Sequence, residues 1–181
     1  MKKNVWIAIA LVVAVFSFSS CGTQQSATQP TSKPVTTDTV VSVEPIKDVI
    51  SIAEALEMFQ NPDKTAAITK KYGYKLKTNY EVYRLDKFTK MYYKNCALAK
   101  LLTADKYEDY PKPMRKGVSS YIAFKDGAMI IAVFNQPAYD NLVAQVKAAG
   151  FTLDMPGNED IYKKGNRTIA CYKDGKSVRI E

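Results

Sequence analysis

The residue types that most often perform enzymatic chemistry are scarce or badly placed in this sequence. It contains no histidine, which removes the usual general base near neutral pH, the Ser-His-Asp and Cys-His arrangements and the commonest zinc ligand. Glu108 and Asp109 are adjacent carboxylates, but neighbours in sequence usually point apart, whereas a glycosidase needs two that face each other. Ser119 and Ser120 lack the SxxK spacing of a serine–lysine nucleophile. The sequence therefore predicts no catalytic residue, no metal site and no cofactor.

Two cysteines belong to the part of the chain that should fold. Cys96 and Cys171 each lie in a strand-like run. Outside the cytoplasm they could form one disulfide, which would constrain the unfolded chain by about 4 kcal/mol. They could instead be two small buried thiols, which is common for unpaired cysteine. The sequence leaves both alternatives open.

A basic, tyrosine-rich region is the strongest candidate for a binding surface. The segment 64–116 contains fourteen Lys or Arg against five acidic residues, together with eight of the twelve tyrosines. Such a surface could bind anionic lipid headgroups, anionic glycan or an acidic envelope protein, and no nucleic acid is expected. Alternatively, the lysines merely solvate sheet surfaces while the tyrosines are half-buried. The candidate residues are Lys75, Lys77, Tyr80, Arg84, Tyr92 and Lys94.

The first residues have the three-part layout of an export signal. A positive start at residues 1–4 precedes twelve uninterrupted apolar residues, Val5–Phe16, which is too short for a bilayer-spanning helix of about twenty. Phe18-Ser19-Ser20-Cys21 follows and resembles the lipobox of bacterial lipoprotein precursors, with Phe18 where most such signals carry Leu. The resemblance covers residues 1–21 and implies that Cys21 receives a diacylglyceryl group. Two or three acyl chains supply the double signal that stable anchoring needs.

The composition of the next segment is typical of a tether. Residues 21–45 are dominated by Ser, Thr, Gln and Pro and contain no aromatic residue, so they cannot bury enough apolar surface to fold. In some lipoproteins that reach the cell surface, acidic residues just after the lipidated cysteine act as the export address. Here the first acidic residue after Cys21 is Asp38, so we expect the protein to be lipid-anchored to the outer membrane on its periplasm-facing side. We therefore expect a signal peptide at 1–20, a lipidated cysteine and tether at 21–45, and one domain at 46–181.

The pattern within 46–181 predicts an α+β domain with an antiparallel sheet and two or three helices on one face. Ser51 and Glu54 form a capping-box pattern that should begin the first helix. Further helices are predicted to end at Gly73 and Gly150, and Asp126-Gly127 predicts a hairpin. A degenerate tandem repeat of helix followed by strands is suggested by a parallel between Phe59, Pro62, Gly73, Tyr74, Leu76, Tyr83 and Phe134, Pro137, Gly150, Phe151, Leu153, Tyr162.

Together these features predict a non-catalytic lipoprotein of the cell envelope that binds or scaffolds an envelope partner. Two alternatives stay open. One is an inhibitor of an exported enzyme, suggested by analogy to small tandem-repeat α+β inhibitor modules. The other is an enzyme that works without histidine, using Lys, Tyr or carboxylates.

Overall fold

The computed structural model describes residues 42–82, 86–98 and 111–181. The predictions for the signal, Cys21, residues 22–41 of the tether, Tyr83, Arg84, Glu108 and Asp109 lie outside these ranges. The described helices are α1 (Ile52–Gln60), α2 (Thr65–Lys71) and α3 (Gln136–Ala148), with a 3-10 turn at Pro62–Lys64 before α2. The described strands are β1 (Lys75–Val82), β2 (Asp86–Lys94), β3 (Cys96–Ala97), β4 (Lys112–Pro113), β5 (Ser120–Lys125), β6 (Ala128–Val133), β7 (Thr152–Met155), β8 (Glu159–Lys164), β9 (Arg167–Tyr172) and β10 (Ser177–Ile180).

Eight of these strands form one antiparallel sheet in the order β1-β2-β5-β6-β10-β9-β8-β7, and β3 pairs with β4 separately. The main core lies between the sheet and the helices, where alternate strand residues such as Ile122, Ile131 and Val178 meet Met58 and Leu142. The α+β class predicted from the sequence is confirmed. No helix within the described ranges is both long and apolar enough to cross a membrane.

Local sequence signals set the boundaries of several elements. Ser51 caps α1 by accepting a hydrogen bond from the backbone N–H of Glu54 at 3.2 Å. Asp126 and Gly127 both have positive φ, 51° and 80°, which is the type I′ turn expected between β5 and β6. Gly73 and Gly150 have φ of 75° and 84° and end α2 and α3 as predicted, since glycine adopts this left-handed conformation without a Cβ penalty.

Two predicted strand boundaries were wrong. The runs 75–88 and 90–98, rich in Tyr, Val and Phe, predict two strands with a polar break between them, whereas β1 ends at Val82 and the ladder pairs Val82 with Asp86. Thr89, which lies at the predicted break, occupies an exposed position inside β2. β7 was not predicted because all four of its residues are exposed, so this edge strand has no alternating apolar pattern.

The strand order is symmetric about its centre. One half consists of α1 and α2 followed by the sheet strands β1, β2, β5 and β6, and the other consists of α3 followed by β7 to β10. The last strands of the two halves, β6 and β10, pair with each other. Paired positions of the suggested repeat also correspond. Tyr74 and Phe151 are buried, at 8% and 5% exposure, and Leu76 and Leu153 are exposed on the two edge strands, at 51% and 50%. Topology alone does not establish a duplicated sequence, so the tandem repeat stays a prediction.

Candidate functional site

The predicted binding residues do not share one surface. Lys75 and Lys77 are exposed on β1. Tyr92 is 8% exposed in the main core, and Tyr80 is 3% exposed in a second cluster with Phe88 and Met91. The two tyrosines therefore cannot present their rings to a partner, because each packs against a core. Lys94 lies elsewhere, at the end of β2.

Lys94 is fixed by the segment that leads into α1. Its Nζ donates to Asp48 Oδ1 at 2.9 Å and to the Asp48 carbonyl oxygen at 3.2 Å, and the Lys94 side chain is only 15% exposed. The hydrogen bond and charge of Lys94, helped by the nearby charges of Lys47 and Arg115, lower the pKa of the Asp48 carboxyl. The ammonium group is thus held in one place beside the Asp48 carboxylate.

A second lysine is held in the same way by α1. Glu54 accepts hydrogen bonds from Lys71 Nζ at 2.7 Å, from Ser51 Oγ at 2.9 Å and from the Tyr72 hydroxyl. Burial alone would raise the pKa of Glu54, but these donors outweigh it and lower the pKa. Burial, together with the bond to Glu54, raises the pKa of Tyr72 to about 12. Tyr72 therefore stays protonated and donates to an ionised Glu54.

These two lysines border a surface pocket of about 390 Å³, which we call the junction pocket because it adjoins the predicted tether. Lys47 is the third lysine, and it is exposed and makes no ion pair within the described ranges. The pocket thus brings together ammonium groups from the segment before α1, from the end of α2 and from the end of β2. Its lining residues are Pro45, Ile46, Lys47, Asp48, Lys71, Tyr72 and Lys94.

The chain segment that carries Lys47 and Asp48 is built into the domain. Val49 and Ile50 are buried, at 3% and 0% exposure, and the amide of Asn141 on α3 donates to the Glu44 carbonyl oxygen at 2.9 Å. Both sides of Lys47 are therefore fixed against the domain, on one side through Glu44 of the predicted tether and on the other through Val49 and Ile50.

Cys96 and Cys171 are free thiols in the structure, and both are buried. Burial raises the pKa of Cys96 to about 11 and that of Cys171 to about 12. Cys96 Sγ lies 3.5 Å from the Ser120 carbonyl oxygen at the start of β5, whereas Cys171 is on β9, three strands away. At about 4.8 Å per strand that is about 14 Å, well beyond the Cα separation of about 7 Å that a disulfide tolerates.

The shifted titratable groups are not tuned for acid–base chemistry. Within the described ranges, every resolved shift moves the pKa away from neutrality, downward for Asp48 and Glu54 and upward for the tyrosines and both cysteines. A general acid or base works best with a pKa near the operating pH. The same part of the chain has no group of three His, Cys, Asp or Glu side chains that could hold a metal ion.

A second surface feature lies on the helix-free face of strands β7–β10. Arg179 there donates to both carboxylate oxygens of Glu159, at 3.1 and 2.9 Å. Met155 and Tyr172 are 61% and 36% exposed on the same face. The Tyr172 ring lies against Gly175, where a Cβ would come within 2.5 Å of it, so the backbone of the β9–β10 turn supports the ring.

Comparisons with protein-family models, with curated proteins and with solved structures found no match. The interpretation of the site therefore depends on its geometry. Sequence reasoning named Lys94 as a candidate but did not name the other polar residues that line its pocket, Lys47, Asp48, Lys71 and Tyr72. The position of Lys47 and Asp48 directly after the predicted tether was the one signal that could have pointed to them.

Proposed function

We propose that this protein is a lipid-anchored, non-catalytic binding protein of the bacterial cell envelope, and that the junction pocket is where it binds its partner. The lipobox-like residues at 18–21 support the anchor at Cys21. The observation that carries the binding role is the convergence of Lys47, Lys71 and Lys94 on one pocket, since concave sites with a few fixed polar groups are the usual binding sites of proteins.

The electrostatics of the pocket favour binding over catalysis. Asp48 and Glu54, whose pKa values are lowered, contact Lys94 and Lys71, and the Lys94 side chain, which is only 15% exposed, is already ordered before a partner arrives. Preorganised groups bind with a smaller loss of side-chain entropy. A catalytic site would instead need a group that exchanges a proton near neutral pH.

Site-specific photo-crosslinking in living cells tests this proposal. A photoreactive residue placed at position 47 of the full chain should give crosslinked products from the envelope. The matched control is position 87, because Lys87 is exposed on the same strand as Lys94 but seven residues away, about 23 Å along β2. Equal crosslinking from both positions, or none from position 47, would contradict a binding role for the pocket.

Membrane attachment is tested separately by Cys21→Ser. The full chain should be found in the membrane fraction and should resist extraction with high salt, whereas the variant should not receive lipid at this position. The measurement is metabolic labelling with a fatty acid followed by fractionation. Labelling that persists in Cys21→Ser would show that the lipid, if present, is attached elsewhere.

An inhibitor of an exported enzyme is the second candidate, and the helix-free face of β7–β10 favours it. Tyr, Met and Arg are enriched at protein–protein interfaces, and Tyr172, Met155 and Arg179 share this face. The full chain should then reduce a hydrolase activity of an envelope extract, and Tyr172→Ala should relieve that inhibition. Lys87→Gln serves as the control, and unchanged hydrolase activities with the full chain would remove this candidate.

A further inference from the structure

The hydrogen-bond donors of the junction pocket are only partly used within the domain. A lysine ammonium group has three N–H donors. Lys94 directs two of them to Asp48, and Lys71 directs one to Glu54, so both retain donors for a ligand. Lys47 makes no ion pair within the described residues. Three separate segments therefore offer spare N–H donors to one space of about 390 Å³.

We infer that the junction pocket binds a phosphate group, an inference that rests on the proposed binding function. Lysine is a common phosphate ligand, and it binds phosphate as a point charge. All three cations that line the pocket are lysines, and they belong to three different segments of the chain. A tetrahedral oxyanion can accept from several directions at once, which a planar carboxylate does less well.

The size and position of the pocket restrict what carries the phosphate. A volume of about 390 Å³ exceeds that of an isolated phosphate, so a group attached to it also fits, and Pro45, Ile46 and Tyr72 offer it apolar surface. Two sources share this chemistry, a phospholipid headgroup and a soluble phosphate ester. Pro45 ends the predicted tether, 24 residues after Cys21, so this tether would link the pocket to the membrane that supplies such headgroups.

Binding is measured on the full chain in micelles of an uncharged detergent. One titration uses inorganic phosphate, and a second uses mixed micelles that contain phosphatidylglycerol. Sodium chloride at matched ionic strength controls for screening, which affects exposed charges without occupying a site. The signals are the backbone amide NMR shifts of residues 46–48, 71–72 and 94, compared with those of β9.

Lys47→Gln should weaken phosphate binding about fivefold, as expected for one lysine near an anionic group. Lys87→Gln, which removes an exposed lysine at the far end of β2, should change the affinity less than twofold. Circular dichroism confirms that each variant is folded. If both ligands saturate the shifts, the pocket is a site for the phosphate group itself. If only phosphatidylglycerol saturates them, the pocket is a headgroup site, and if only phosphate does, it is a site for soluble phosphate esters.

The inference is overturned if chloride reproduces the shifts, if neither ligand saturates them, or if Lys47→Gln and Lys87→Gln weaken binding equally. This failure is distinct from that of the proposed function. A pocket that crosslinks to an envelope component from position 47 but does not bind phosphate remains a binding site for another ligand. A pocket that binds phosphate but gives no crosslink would have the chemistry inferred here without the proposed partner.

Discussion

Removing the charge of Glu54 is expected to destabilise the domain, because this carboxylate organises one wall of the junction pocket. In Glu54→Gln the amide oxygen can replace only part of the acceptor capacity that now serves Ser51, Lys71 and the Tyr72 hydroxyl. The Glu54 side chain is 21% exposed, so water compensates incompletely. The Lys71 side chain is 67% exposed, and its ion pair contributes at most about 1 kcal/mol.

The hydrogen bond from Tyr72 should dominate the change. A hydrogen bond to a charged group contributes about 1.5–3 kcal/mol, and Ser51 keeps its bond from the Glu54 backbone N–H. We therefore expect Glu54→Gln to lower the free energy of unfolding by about 2 kcal/mol at pH 7. That loss corresponds to a decrease in Tm of about 6 °C for a domain of this size.

The effect should also depend on pH in a defined direction. The folded state lowers the pKa of Glu54 below its usual 4.5, so its stabilisation is complete above the unfolded-state pKa and is lost as the pH falls through the folded-state pKa. The stability difference between wild type and Glu54→Gln should therefore be largest at neutral pH. It should shrink in acid, where Glu54 itself becomes neutral.

These changes are measured by thermal unfolding of the full chain, of Glu54→Gln and of a control variant. Circular dichroism follows the unfolding at neutral pH and at successively more acidic pH values. The control is Glu57→Gln on the same helix, because within the described ranges Glu57 pairs only with Lys64, and both side chains are well exposed, at 41% and 57%. Its stability should change by about 0.5 kcal/mol or less at pH 7. Equal losses for the two variants, or a Glu54→Gln deficit that stays constant in acid, would refute the role assigned to Glu54.

Two further predictions concern the thiols and the helix ends. Cys96 and Cys171 should react with a thiol reagent at pH 8 only after denaturation. Burial excludes the reagent and raises both pKa values. Rapid labelling of these two cysteines in the folded protein would contradict this prediction. Gly73→Ala should cost about 1–2 kcal/mol for its positive φ, whereas Gly150→Ala should cost more, since its Cβ would lie 3.3 Å from Lys164 Nζ. Urea unfolding compares the two, and equal costs would show that Lys164 moves freely.

Local signals account for the parts of the fold that the sequence predicted well. A helix cap such as Ser51, a left-handed glycine such as Gly150 and the Asp126-Gly127 turn each act through bonds to residues within a few positions. The chemistry of such features does not depend on distant partners, so their residue types identify them. β7 shows the limit of this reasoning, because an exposed edge strand has neither a cap nor an alternating core pattern.

Side-chain direction explains why the predicted binding residues do not share one surface. Successive residues of a strand point to opposite faces, so an error of one position exchanges the buried and exposed sets. Position along the strand also matters, because Tyr92 and Lys94 are two apart on β2 and share a face, but Tyr92 packs in the core while Lys94 lies at the strand end against Asp48. Composition marked the region as basic and aromatic, but it could not assign each side chain to a face.

The junction pocket could not be predicted from sequence because its walls come from segments that are far apart in the sequence and meet only in the folded domain. Lys94 and Asp48 are separated by 46 positions, and Lys71 is placed by Glu54, which lies on another helix. Asp48 is followed by the buried residues Val49 and Ile50, so the same interactions that secure the start of the domain also assemble the pocket. If residue 21 carries the lipid as we propose, a ligand in this pocket is held beside the point where the domain joins its tether. A membrane headgroup bound there would restrict the freedom of the domain relative to the membrane, whereas a soluble ligand would not, and this difference separates a scaffolding role from simple capture.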